Sequence, residues 1–137
     1  MNTLDTNVLV RFFVTFPDDD ETTLQQQEIA SQLILQPSFI PITIILELVW
    51  ILDRVYKMTR EEVGDCLQTL LRFKHFTIEN IDIVKQACDY YLQGMDFADA
   101  LHLLKSSQSQ HFYTFDKKFI NKSNQLGTVL LATNPNL

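Results

Sequence analysis

Two aspartates lie three residues apart in the segment DFADALH, residues 96–102, which is otherwise largely apolar. Asp96 and Asp99 fall in the first turn of the helix that this segment predicts, so both lie on the same face. Two carboxylates that close repel each other unless a positive charge lies between them or one stays protonated. An N-cap followed by an acid in the first turn also explains the pair. The pair is therefore compatible with a cation site and with helix capping alone.

Two further aspartates each follow a short predicted strand and precede a predicted helix. Asp5 lies in LDTNVLV, residues 4–10, and Asp116 follows the predicted strand at residues 112–114. In parallel α/β sheets, functional groups collect beyond the carboxyl ends of the strands, so we expect both side chains at the same edge. As a helix N-cap, either aspartate alone would need no other explanation.

Glu47 interrupts the apolar segment IILELVWIL, residues 44–52, which predicts a helix that is buried on most faces. A buried ionised carboxylate is costly without a partner, and no Lys or Arg lies nearby on the same predicted helix face. We therefore expect Glu47 to point toward a cavity, a cation or a basic residue that is distant in sequence. A structural salt bridge and a metal site both satisfy this expectation.

Acids without an accompanying cluster of His or Cys favour a hard cation over zinc. Mg²⁺ and Mn²⁺ prefer oxygen ligands, and Mg²⁺ binds few carboxylates while it keeps several waters. One or two such ions could activate water and stabilise the charge that develops in a phosphodiester displacement. The acid run DDDE at residues 18–21 is more simply a solvated loop and helix start, because adjacent side chains point in different directions.

The elements that must position these acids alternate between short extended segments and helical patterns. Strands are predicted at residues 1–4, 39–42, 76–78, 112–114 and 128–131. Helices are predicted at residues 6–14, from about 24 to 35, 43–56, from 59 to 71, from 80 to 93, 98–107 and 117–121. Thr43 is expected to cap the third helix, and Thr59 and Glu62 form a capping box for the fourth. This alternation predicts an α/β fold with a mainly parallel sheet.

Length and composition limit the class of protein. A chain of 137 residues with 46% hydrophobic and 20% charged residues fits one globular domain, residues 1–137. The net charge of -6 argues against binding nucleic acid through bulk charge alone, although acids that hold a metal also count as negative. Cys66 and Cys88 form no ligand spacing and are expected to be reduced. No basic leader and no apolar run near the roughly 20 residues of a membrane span is present, so we expect a cytoplasmic protein.

The order of four segments resembles the PIN-domain family, and more narrowly the VapC-type ribonuclease toxins of bacterial type II toxin–antitoxin systems. The segments are DTNVLVR (5–11), ELVWIL (47–52), DFADALH (96–102) and TFDKKF (114–119). The resemblance implies a three-layer α/β sandwich whose central parallel sheet is flanked by helices. It also implies endoribonuclease activity with one or two Mg²⁺ or Mn²⁺ ions, a cognate VapB-like antitoxin and a homodimer.

Residue by residue, the resemblance assigns roles to the acids already identified. Asp5, Glu47, Asp96 and Asp99 correspond to the acids that bind metal, and Asp116 corresponds to a further catalytic acid. Small polar residues expected to line the site are Thr6, Asn7 and Thr114; basic residues expected to contact RNA phosphates are Arg11, Lys117, Lys118 and Lys122. His102 is expected to be packed or at the surface rather than a catalytic base.

Two alternatives stay open at this point. Another Mg²⁺-dependent phosphate-processing enzyme would need a second acid beside Asp5, but Thr6, Asn7 and Val8 follow it. A non-catalytic α/β RNA-binding or nucleotide-binding module would be indifferent to loss of the acids, and the sequence has no GxGxxG or GxxxxGK[ST] phosphate loop. Cleavage of RNA that is lost on Asp5→Asn or with a chelator distinguishes the nuclease from a binding module.

Overall fold

The computed structural model describes residues 1–136, which form two compact units, one ending at Ile81 and one beginning at Asp82. The first unit contains β1 (Asn2–Thr3), α1 (Thr6–Phe13), α2 (Glu21–Leu33), β2 (Ser38–Ile40), α3 (Ile42–Arg54), α4 (Arg60–Arg72) and β3 (Phe76–Ile78). From the boundary onward follow α5 (Ile81–Leu92), α6 (Phe97–Lys105), β4 (Phe112–Tyr113), α7 (Lys117–Leu126) and β5 (Ala132–Thr133). None of the helices in residues 1–136 is long and apolar enough to cross a membrane.

Every strand pair in the described residues is parallel. In the first unit the order is β1-β2-β3, and Phe39 of the middle strand lies opposite Thr3 on one side and Thr77 on the other. Helices connect the successive strands, because parallel neighbours require a crossover rather than a hairpin. In the second unit β4 pairs with β5, with Phe112 opposite Ala132. The predicted α/β class with a mainly parallel sheet is confirmed, whereas a single domain over residues 1–137 stays a prediction.

Each unit buries apolar side chains of its own helices. In the first unit, α3 and α4 bury Ile45, Leu48, Leu52, Val63 and Leu67 almost completely. The second unit buries the α5 stripe that the sequence predicted, namely Val84, Ala87, Cys88 and Tyr91. Both cysteines are unpaired, as expected.

The two helix starts that the sequence assigned to threonines have different outcomes. The capping box before α4 is confirmed, since Thr59 Oγ1 accepts from the Glu62 N–H at 3.1 Å and Glu62 Oε1 accepts from the Thr59 N–H at 3.0 Å. The predicted cap at Thr43 is wrong, because α3 already begins at Ile42. Glu79, the residue after β3, accepts from the Ile42 N–H through Oε1 at 2.9 Å. Glu79, 37 positions away in the sequence, therefore caps the start of α3 in place of a neighbouring residue.

The C-terminal elements also differ from the prediction. The last helix runs to Leu126 rather than residue 121 and ends at Gly127, whose φ of 63° is left-handed. The strand predicted at residues 128–131 is wrong, since β5 begins at Ala132. Within that segment the Thr128 hydroxyl donates to the Leu130 carbonyl at 2.9 Å. Such a local side-chain bond favours a turn over an extended strand.

Candidate active site

Asp96 and Asp99 begin α6 in the second unit. Asp96 is the N-cap, and its Oδ1 accepts from the Asp99 backbone N–H at 3.0 Å. Capping therefore explains Asp96. It does not explain the carboxylate of Asp99. This residue is partly buried in the first turn, and only its backbone N–H takes part in the cap.

The carboxylate of Asp99 lies in an unfavourable electrostatic environment. Burial and, after it, the negative charges of Asp96 and Asp116 together raise its pKa from the ordinary 3.8 to about 6, while His102 opposes the rise. The charges of two other acids of the second unit thus act on the carboxylate of Asp99. A cation beside Asp99 would reverse the effect, because positive charge favours the ionised form of an acid.

Asp116 is held at the start of α7 by two hydrogen bonds, one to its side chain and one from its backbone N–H. Its Oδ1 accepts from the Phe119 N–H at 3.1 Å, and its own N–H donates to Thr114 Oγ1 at 3.0 Å. The Thr114 N–H in turn donates to the Thr133 carbonyl at 2.9 Å. Thr114 therefore links β5 to the backbone of Asp116 and fixes the position of that residue at the start of α7.

Asp5 caps α1 in the first unit, where its Oδ1 accepts from the Thr6 N–H at 2.8 Å. Thr6 is 2% exposed, and its Oγ1 is buried with no hydrogen-bond partner among the described residues. A buried hydroxyl left unsatisfied costs about 1–3 kcal/mol. The residue next to a candidate metal ligand therefore carries an unsatisfied, buried polar atom. Asn7, the next residue, is exposed.

Glu47 does not occupy the buried position that the sequence predicted. The buried side chains of α3 are Ile42, Ile45, Leu48, Val49 and Leu52. Thr43, Glu47 and Trp50 are exposed, and Trp50 has 57% of its surface accessible. The prediction of burial was wrong because an apolar tryptophan occupies the exposed face. Glu47 is available to a ligand, but desolvation gives no argument for one.

The four basic residues expected to contact RNA have different surroundings. Arg11 is partly buried and donates through Nε to Gln26 Oε1 at 2.8 Å. It lines a cleft of about 380 Å³ between α1 and α2, together with Asn7 and Ile29 among others. Lys122 Nζ donates to the Gln93 carbonyl at 3.3 Å. Lys117 and Lys118 are exposed in the first turn of α7.

The acid run before α2 has the structural role that the sequence predicted. Asp20 is the N-cap and accepts from the Thr23 N–H at 2.7 Å. Asp19 Oδ2 accepts from the Phe16 N–H and from Gln27 Nε2, both at 2.8 Å. These bonds hold the loop against α2. His102 is exposed, which agrees with a surface role.

No three side chains of His, Cys, Asp or Glu in residues 1–136 are gathered so that they could hold a metal ion as they stand. The charges of Asp96 and Asp116 act on Asp99. Asp5 and Glu47 belong to the first unit, and their metal roles stay predictions. The sequence interpretation also missed the exposed rings of Tyr113 and Phe115, although their alternation along the chain was visible.

Comparison with known proteins places this geometry in a family. The model of the PIN domain matches residues 3–124, a range that includes all five candidate acids. A curated relative, the VapC ribonuclease of Aquifex aeolicus (strain VF5), is 30% identical over 122 residues, covering 87% of this chain and 90% of that protein. No solved structure matches the chain significantly. The resemblance noted in the sequence is confirmed: the chain belongs to the PIN-domain family, as one of its VapC-like ribonucleases.

Proposed function

We propose that this chain is the toxin of a VapBC-type pair and cleaves RNA with one or two Mg²⁺ or Mn²⁺ ions bound by Asp5, Glu47, Asp96 and Asp99. Family membership supports the endoribonuclease activity. The observation that best supports the metal is the environment of Asp99, whose ionisation is disfavoured by burial and by two neighbouring acids. An ion would neutralise that repulsion.

The chemistry of the donor set fits a hard divalent cation. All four proposed ligands are carboxylates, which Mg²⁺ and Mn²⁺ prefer, and the thiols of Cys66 and Cys88 are not among them. The unsatisfied Thr6 hydroxyl beside Asp5 supports a polar ligand at the start of α1. When bound, the metal would activate water and stabilise the charge on the leaving oxygen.

The remaining residues act through their own hydrogen bonds and charges. Asp96 holds the first turn of α6 through the Asp99 N–H, which fixes the direction in which Asp99 projects. Asp116, held by Thr114 and Phe119, is exposed and would orient the attacking water or act as an outer ligand. Glu47 is exposed on α3 and is therefore accessible to a cation from solvent.

The contacts with RNA and with other proteins belong to the same proposal. Lys117 and Lys118 are exposed and suited to phosphates, whereas Arg11 and Lys122 would have to share or release their present hydrogen bonds. We also propose a cognate VapB-like antitoxin, a homodimer and a cytoplasmic location, which the VapC-type resemblance implies. The exposed apolar surface of Trp50 and Ile29, 57% and 55% accessible, is compatible with protein contacts.

Purified full-length protein incubated with total RNA tests the activity directly. We expect cleavage with Mg²⁺ and none with EDTA. In Asp99→Asn the cleavage rate should fall at least about 100-fold, which is more than the loss usually caused by changing a residue that only supports a metal ligand. Asp65→Asn, at an exposed acid in the middle of α4, is the matched control and should cleave normally. Circular dichroism checks that both variants fold. Equal cleavage in EDTA or in Asp99→Asn would contradict the metal-dependent mechanism.

A further inference from the structure

The segment around β4 exposes aromatic rings where a strand usually exposes polar side chains. Along residues 111–115, His111, Tyr113 and Phe115 are exposed, and the two residues between them are partly buried. Tyr113 and Phe115 have 54% and 79% of their surfaces accessible. Of the three, only Tyr113 lies within β4 itself. The outward positions of a half-buried extended segment are normally polar, so three exposed rings at alternate positions require another explanation. We call these three residues the aromatic strip.

Two of the three rings of the aromatic strip already stack on each other. His111 and Tyr113 lie with their ring centroids 5.4 Å apart and their planes 13° from parallel. On the inner side, Phe112 packs edge-on against Phe119 at 5.5 Å. Thr114 is bound to Thr133 and to the Asp116 backbone. The backbone beneath the rings is thus anchored from β5 and α7, and the strip would lose little entropy on binding a flat ligand.

Positive charge accompanies the aromatic strip. Residues 105–122 contain four lysines and one aspartate, a net charge of +3, in a chain whose total is -6. Lys117 and Lys118 follow the strip in the first turn of α7 and are exposed. Positive charges at a helix N-terminus oppose the helix dipole, so the stability of α7 does not explain them. Both charges are exposed and available to a negatively charged ligand.

We propose that the aromatic strip is a stacking platform for unpaired bases of single-stranded RNA, with Lys117 and Lys118 contacting the phosphates. Aromatic rings stack on any base face, whereas the bases of a duplex are not accessible to them. The positive charge beside planar, stacked rings favours a nucleic acid over a protein partner. This inference rests on the proposed ribonuclease function and deepens it, since Phe115 directly precedes Asp116 and would bring substrate to that candidate acid.

Binding of RNA by the full-length chain in EDTA at low salt tests the strip without cleavage. The probe is a fluorescein-labelled single-stranded RNA of about twelve nucleotides, followed by anisotropy, a length within the usual site size. We expect Tyr113→Ala and Phe115→Ala each to weaken binding by about 5- to 150-fold. Phe115→Trp should preserve affinity, whereas Phe115→Leu, which stays apolar but has no ring, should not. Phe16→Ala, at an exposed ring of the first unit that has no role in either proposal, is the matched control, and duplex RNA of equal length should compete poorly.

Three results would overturn the platform: no binding by the unaltered chain, unchanged affinity in both alanine variants, or full affinity in Phe115→Leu. If the alanine variants bind RNA normally but change the molar mass measured by light scattering, the strip is a protein contact instead. Because this assay needs neither metal nor cleavage, it separates the two proposals. RNA bound through the strip without Mg²⁺-dependent cleavage would refute the proposed activity, and cleavage with normal RNA binding by strip variants would refute the platform alone.

Discussion

Replacing Asp99 by asparagine should stabilise the metal-free protein at neutral pH, although the change removes a proposed metal ligand. The ionised carboxylate is opposed by burial and by the charges of Asp96 and Asp116. Asparagine has nearly the same shape and no charge, so the variant relieves that opposition. If Asp99 served the structure alone, its replacement by asparagine would be expected to destabilise the metal-free protein.

The size of the stabilisation by Asp99→Asn and its dependence on pH follow from the pKa of Asp99. Because the pKa of about 6 in the folded chain exceeds the ordinary 3.8, the folded state binds the proton more tightly. The stabilisation from protonation is therefore complete below pH 3.8 and lost as the pH rises through 6. The two pKa values correspond to about 3 kcal/mol. Asp99 is partly exposed, and solvent screening reduces the expected effect to about 1 kcal/mol.

Urea unfolding in EDTA between about pH 5 and pH 8, at constant ionic strength, measures the effect. We expect Asp99→Asn to raise the free energy of unfolding by about 1 kcal/mol at the upper end, with the gain shrinking toward the lower end. The control Asp65→Asn should stay within about 0.5 kcal/mol of the unaltered chain throughout. Adding Mg²⁺ at tenfold its dissociation constant should stabilise the unaltered chain by about 1.4 kcal/mol and leave Asp99→Asn unchanged.

Two outcomes would refute this reasoning. Equal stability of Asp99→Asn and the unaltered chain at the upper end of the pH range would mean that burial and the neighbouring acids do not act on Asp99. A gain of the same size at both ends would mean that the variant stabilises the chain through something other than charge. Mg²⁺ stabilising Asp99→Asn as much as the unaltered chain would separately remove Asp99 from the proposed ligands.

Three further predictions concern the elements that hold the site. Glu79→Ala removes the distant cap of α3 and should cost about 1 kcal/mol in urea unfolding, whereas Glu79→Gln keeps an acceptor oxygen and should cost less. Thr59→Ala should cost about 1 kcal/mol by breaking the capping box. Its control is Glu61→Ala, and equal stability of the two variants would contradict the role of the box. The Cys88 thiol, with its pKa raised to about 11 mainly by burial, should resist Ellman's reagent at mildly alkaline pH until the chain unfolds, so fast labelling of the folded protein would count against its burial.

Features that depend on a few neighbouring residues were predictable from the sequence. Asp5, Asp96 and Asp116 each accept a hydrogen bond from a backbone N–H one or three residues onward, so the helix starts are encoded locally. The capping box at Thr59 and the buried stripe of α5 have the same origin. The order of the acidic segments also predicted the family, which the comparisons confirm.

Features that depend on distant contacts were not predictable. Nothing near Thr43 in the sequence indicates that Glu79 would cap α3 in its place. The burial of Glu47 was predicted from an apolar helix, but the composition of a helix does not say which side its neighbours cover. The final strand was misplaced because the hydroxyl of Thr128 turns the chain toward Leu130.

The sequence by itself determined the parallel α/β class, the acids that begin the helices and the membership of the PIN-domain family. Periodicity and capping depend on residues close together in the chain, and motif order can be read directly along it. None of the three requires knowledge of how the elements pack. The tertiary structure decided that Glu47 is exposed, that Asp99 lies within reach of the charge of Asp116, and that the rings of Tyr113 and Phe115 face outward. Burial and electrostatic interaction depend on distances between residues far apart in the chain, and only the packing of the elements sets those distances.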